Sequence, residues 1–131
     1  MEIKEYVKMR KNFLNETINN LEEKPHLLII QVNEDEASNA YVKGKIKDLS
    51  LIGAKCTHLK LSLDITENEL LNVIKMNNYN DDVDGILVQM PLPKHINEAK
   101  VKETINPIKD VDGFHPLSKC IACTPKGIID Y

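Results

Sequence analysis

Apolar residues at Ile3, Tyr6, Val7, Phe13, Leu14, Ile18 and Leu21 recur at helical spacing, which predicts an amphipathic helix over residues 2–22. Pro25 closes the break after it. His26 to Val32 then forms a short, nearly continuous apolar run, the pattern of a strand buried on both faces of a parallel sheet. Asn33 to Ala37 is an acidic loop. Ser38 is the expected cap of a helix from Asn39 to Ile52, which Gly53 ends. Lys55 to Leu61 reads as a second strand. Thr66 and Glu69 form a capping box ahead of Leu70, Leu71, Val73 and Ile74, and that helix ends in the polar stretch Asn77 to Asp82. Gly85 to Gln89 is the third strand, stopped by Pro91 and Pro93. Asn97 starts a last helix, carrying Val101 and Ile105, that ends before Pro107.

Helix and strand alternate throughout. The expected fold class is therefore α/β, with three-layer βα units around a mainly parallel sheet. Right-handed crossovers place helices on both faces or wrap them around the sheet. Ligands of open parallel sheets sit beyond the carboxyl ends of the strands. Asn33–Tyr41, Leu61–Ile65 and Gln89–Pro93 should meet there, and Asp110–His115 could join them.

The 131 residues favour a single domain, long enough to bury about two-thirds of its unfolded surface without a disulfide or metal. The net charge of −3 argues against a nucleic-acid partner. No apolar run approaches the roughly 20 residues of a membrane span, and the first residues lack the basic start and apolar block of a signal peptide. Three cysteines are an odd set, widely separated except for Cys120 and Cys123, which points to a reducing cytoplasmic setting. Sixteen of the 17 basic residues are lysine, a background bias that weakens the meaning of any lysine cluster.

Tyr41 and Lys45 stand four apart on the second predicted helix and so share a face, near the end that points at the expected site. A lysine beside an aromatic ring and away from water can take part in proton transfer near neutrality. The alternative is a surface tyrosine with a solvated lysine. Tyr-x-x-x-Lys also occurs in short-chain dehydrogenases, but no glycine-rich nucleotide loop is present here, and Asn33-Glu34-Asp35-Glu36 would repel phosphate. Gln89 is an amide at the end of an apolar strand, and either a ligand or Lys45 could supply its hydrogen-bond partners; neighbouring loop backbone could do so equally. Asp110 and Asp112 suit either a turn or a carboxylate that holds a flat, nitrogen-rich ring. Cys120-x-x-Cys123, with His115 nearby and Cys56 and His58 elsewhere, lacks the two close-spaced pairs of a structural zinc site, so no metal is expected.

Four stretches together resemble the catalytic, folate-binding domain of the methylenetetrahydrofolate dehydrogenase/cyclohydrolase family over nearly the whole chain. They are Ser38-Asn39-Ala40-Tyr41-Val42-Lys43-Gly44-Lys45-Ile46-Lys47, the run Gly85 to Pro93, the run Pro107 to Pro116, and Thr124-Pro125-Lys126-Gly127-Ile128-Ile129. The resemblance implies roles. Tyr41 stacks on the folate ring system, Lys45 is the catalytic lysine, Gln89 supports that lysine, and Asp112 holds the pterin. Tyr41, Gln89, Pro91, Leu92 and Asp112 are the implied substrate contacts.

The resemblance also implies an activity: oxidation of methylene-tetrahydrofolate with NADP or NAD, then hydrolysis of the methenyl product to formyl-tetrahydrofolate. The family carries a second, nucleotide-binding domain of Rossmann type and forms homodimers. This chain stops at Tyr131, so residues 1–131 are expected to form the catalytic domain alone, without NADP binding or hydride transfer. The loop Leu117 to Ala122 is shorter than is usual in the family. A non-catalytic folate-binding or interaction module is the alternative function.

Overall fold

The computed structural model describes residues 3–111. The elements run α1 (Ile3–Asn19), β1 (His26–Gln31), α2 (Glu36–Ile52), β2 (Lys55–Lys60), α3 (Glu67–Asn78), β3 (Gly85–Gln89) and α4 (Glu98–Thr104). This is the predicted order, and β3 has the predicted bounds. The three strands are parallel in the order β2-β1-β3, and an isolated parallel bridge pairs Ile86 with Asp110 beyond β3.

Period-2 alternation divides the apolar side chains of the sheet between two faces. Leu28, Ile30 and Val32 of β1 and the following turn, with Ile86 and Val88 of β3, pack against Leu70 and Ile74 of α3 and Val101 and Ile105 at α4. Ile29 and Leu87 face the other way, against Val42 of α2, with Leu27, Ile46 and Cys56 around them. Helices therefore cover both faces, which gives the expected three layers. α2 and α3 lie on opposite faces because β1→β2 and β2→β3 cross the sheet in opposite directions with one handedness. The chain reverses direction between β1 and β3, and such a switch point leaves a crevice at the strands' carboxyl ends.

Local chemistry sets the helix ends. Thr66 caps α3 by accepting from the Glu69 amide at 3.1 Å, and Asn97 caps α4 through the Lys100 amide at 3.3 Å, both as predicted. α2 corrects the expectation. Its N-cap is Asp35, not Ser38, and the helix starts at Glu36. The Asp35 carboxylate accepts from both the amide (2.9 Å) and the hydroxyl (3.0 Å) of Ser38, and a negative charge suits a helix N-terminus. At the other end Gly53 takes φ 85°, a left-handed conformation that glycine adopts without strain. Its amide and that of Ala54 close onto Ser50 and Leu49.

α1 stops at Asn19 rather than residue 22, in a last turn of i→i−3 bonds from Asn20 and Leu21. It rests on α2 through Ile18, which is buried, a Lys11–Asp48 ion pair and a bond from Asn15 to the Leu51 carbonyl. Much of its predicted apolar stripe is open: Val7, Phe13, Leu14 and Leu21 are exposed. β1 and β2 each end one residue earlier than predicted, at Gln31 and Lys60. No helix among the described residues is long and apolar enough to cross a membrane.

Candidate active site

The crevice is built from the end of β1, the first turns of α2 and the loop after β3. Gln31 and Gln89 are partners in the β1–β3 register, so two amides lie side by side where the apolar strands end. Lys45 reaches back from α2, and its Nζ donates to Gln89 Oε1 at 2.8 Å. The Gln89 Nε2 donates to the Met90 carbonyl at 3.3 Å. That carbonyl also lies 3.1 Å from Ser38 Oγ, sharing the one hydroxyl proton with the Asp35 carboxylate, and the Met90–Pro91 peptide that follows is cis. Asn33 Nδ2 takes the next carbonyl, of Pro91, at 2.8 Å. The turn after β1 and the loop after β3 are thus tied together through consecutive carbonyls.

Tyr41 lies one helical turn before Lys45 and is 66% exposed, so its ring is free to meet a ligand. Lys45 is half-buried, and it borders an open apolar groove of about 340 Å³ whose walls include Leu27, Leu49, Leu87 and Val111. Pro91 is exposed at the rim, whereas Leu92 is buried in the α3–α4 core and anchors the loop from beneath. Asp110 is buried beside β3. Asp112, His115, Cys120, Cys123 and the Leu117–Ala122 loop lie outside the described residues. Leu61 to Ile65 turns toward the α3–α4 side, where the Ile65 carbonyl meets His95 at 2.7 Å.

A second network, centred on Gln31, was not singled out by the sequence reading, which named His58 only as a metal candidate. Gln31 is fully buried, and its Nε2 donates to Asn33 Oδ1 at 3.0 Å and Asn39 Oδ1 at 2.7 Å. Its Oε1 lies 2.8 Å from His58 Nε2 on β2. The available signal was the one that marked Gln89, a lone amide inside an apolar run, which needs partners once buried.

The β1–α2 turn is where an α/β sheet offers helix amides to a phosphate. Here the turn is acidic, and Asp35 occupies the Ser38 amide. These residues do not fit the phosphates of a nicotinamide nucleotide. Among the described residues no group of three or more His, Cys, Asp or Glu is placed to hold a metal ion.

Residues 1–112 match the model of the tetrahydrofolate dehydrogenase/cyclohydrolase catalytic domain. A bifunctional protein FolD of Pediococcus pentosaceus is 47% identical over 117 residues, which cover 81% of this chain and 41% of that protein. The crystal structure of the bifunctional enzyme FolD, a methylenetetrahydrofolate dehydrogenase/cyclohydrolase from Campylobacter jejuni, matches with a TM-score of 0.86 at 36% identity, over 95% of this chain and 48% of that one. That of the Trypanosoma brucei N5,N10-methylenetetrahydrofolate dehydrogenase-cyclohydrolase, complexed with NADP cofactor and inhibitor, matches with a TM-score of 0.80 at 26% identity, over 86% and 39%. The chain spans less than half the length of these relatives. With the family model covering every described residue and the fold shared, the chain belongs to the tetrahydrofolate dehydrogenase/cyclohydrolase family, as its catalytic domain.

Proposed function

We propose that this chain supplies the folate site and the catalytic lysine of a bifunctional enzyme of one-carbon metabolism. That enzyme would oxidise methylene-tetrahydrofolate to methenyl-tetrahydrofolate with NADP or NAD and hydrolyse the product to formyl-tetrahydrofolate. The observation that carries the reading is the Lys45–Gln89 bond at the switch-point crevice, one helical turn from the exposed Tyr41 ring.

In the hydrolytic step, water adds to the methenyl carbon, which is electrophilic because it shares the iminium charge. The C=N π pair moves onto nitrogen and the attacking water loses a proton. One C–N bond then breaks, leaving a formyl group on one nitrogen and a proton on the other. Lys45 would handle those protons, a reading supported by its Nζ donating to Gln89, which would hold it in one position. Tyr41 offers a flat π face to the pterin-bearing ring system, Pro91 borders it, and Leu92 fixes the loop from the core. Asp112 is assigned to the pterin N–H donors by its place in Asp110-Val111-Asp112-Gly113. Hydride transfer belongs to a nucleotide site that these residues do not form. A reducing cytoplasmic setting follows from the odd set of cysteines, and a homodimer is assigned to the complete enzyme by family.

Calorimetric titration of the folded chain with a folate analogue tests the binding half of this reading. Wild type should bind, and Tyr41→Ala and Asp112→Ala should each bind more weakly. A folded wild type with no affinity at high micromolar ligand overturns it. Hydrolysis of methenyl-tetrahydrofolate tests the catalytic half. Equal rates for wild type and Lys45→Met would leave only a folate-binding module.

A further inference from the structure

Gln31 joins the two walls of the crevice. Its amide donates to Asn39, two residues before Tyr41 on α2, and to Asn33, which in turn holds the Pro91 carbonyl. The orientation of every group in this chain of bonds follows from backbone atoms that cannot turn over. Asn33 Oδ1 accepts from the Asp35 backbone amide at 3.2 Å, and Asn33 Nδ2 faces a backbone carbonyl. Asn33 is therefore locked with its oxygen toward Gln31. Gln31 must present its NH₂ there, and both of its N–H bonds are used, one on Asn33 and one on Asn39. Its Oε1 is left facing His58 and needs a donor. His58 Nε2 must carry the proton and donate.

We propose that His58, acting through the buried Gln31 amide, is a positioning residue for the folate site, holding the start of α2 and the Met90–Pro91 loop in register with each other. This rests on the folate reading above and extends it to a residue on β2 that bonds directly to neither Lys45 nor Gln89. Without the imidazole donor, the Gln31 oxygen is buried and unpaired. Turning the amide over to satisfy it sets the Gln31 oxygen against the side-chain oxygens of Asn33 and Asn39. Either outcome loosens Tyr41 and the loop after Gln89 together.

His58 is exposed, so the chain with His58→Leu should fold. Its turnover of methenyl-tetrahydrofolate should fall about ten- to a hundredfold, the scale of an ångström-level misplacement. His58→Gln, which keeps an N–H donor, should recover most of that loss. Without any substrate, the ¹⁵N–¹H amide resonances of Asn39, Ala40, Tyr41, Met90 and Leu92 should shift in His58→Leu and return in His58→Gln. Turnover at the wild-type rate in His58→Leu, or a His58→Gln variant as slow as His58→Leu, overturns the proposal. So do amide shifts confined to β2 and Gln31. A wild type that neither binds nor turns over folate overturns the folate reading instead, and the resonance shifts then decide the positioning role alone.

Discussion

Lys45 Nζ donates to Gln89 Oε1 across 2.8 Å, and this contact joins the middle of α2 to the last residue of β3. The two residues are 44 apart in the chain. Removing either end should separate chemistry from binding. Lys45→Met should lower methenyl-tetrahydrofolate hydrolysis by about 10²–10⁴-fold, the range for a positioned proton-transfer group. Gln89→Leu should lower it less, because the lysine remains but is no longer held. Folate-analogue titration beside the rate assay checks that binding survives in both.

Tyr41 is mostly exposed, so its ring contributes little to the folded state and is available to a ligand. Tyr41→Ala should leave stability within about 0.5 kcal/mol of wild type. It should weaken folate binding by about 0.5–1.5 kcal/mol beyond simple burial, the worth of an aromatic stacking contact. Urea denaturation and calorimetry on the same samples give the two numbers.

Gly85 lies against the segment that follows α4. A Cβ there would stand 2.6 Å from Val111 Cγ1 and 3.2 Å from Leu27 Cδ1. Val111 has a short, branched side chain, and the bond from the Ile86 amide to the Lys109 carbonyl holds that segment close. Gly85→Ala should cost about 1–3 kcal/mol through overpacking. Adding Val111→Ala should return part of the loss, which a double-mutant cycle by urea denaturation would read.

The cap of α2 is tested by two alanine variants. Asp35→Ala removes the carboxylate that accepts the Ser38 amide and should cost about 0.5–2 kcal/mol. Ser38→Ala leaves that amide bond in place. It should instead loosen Met90, whose carbonyl the hydroxyl holds. Thermal melts of the pair should show the larger loss in Asp35→Ala.

Burial pushes the Cys56 thiol up, so the protonated form is favoured in the folded chain. A raised thiol stabilises the fold fully at pH below its unfolded value, and that contribution fades as pH rises through the folded one. Cys56 should therefore react slowly with thiol reagents at neutral pH and faster as pH increases or urea is added. Peptide mapping by mass spectrometry separates it from Cys120 and Cys123.

Period and punctuation in the chain were enough to place every element. The helix caps Thr66 and Asn97 act within three residues, and the strand Gly85–Gln89 is bounded by its own glycine and prolines, so local chemistry decides them. Tyr41 and Lys45 share a face because helix geometry leaves no other arrangement. Their meeting with Gln89 was legible as one of several options, since a strand-end amide must find a partner. Tertiary structure made the remaining decisions. Asp35 rather than Ser38 caps α2, and Ser38, buried in its first turn, lies between the Asp35 carboxylate and the Met90 carbonyl of the distant β3 loop. Leu92 went into the core because the loop it sits on passes over α3 and α4. The His58–Gln31–Asn33–Asn39 chain of bonds depends on strand order and register, which place β2 beside β1 and bring residues 27 positions apart within hydrogen-bond distance. Spacing along one strand or one helix carries no information about such pairs. They form only when the sheet has assembled and buried amides must be satisfied across it.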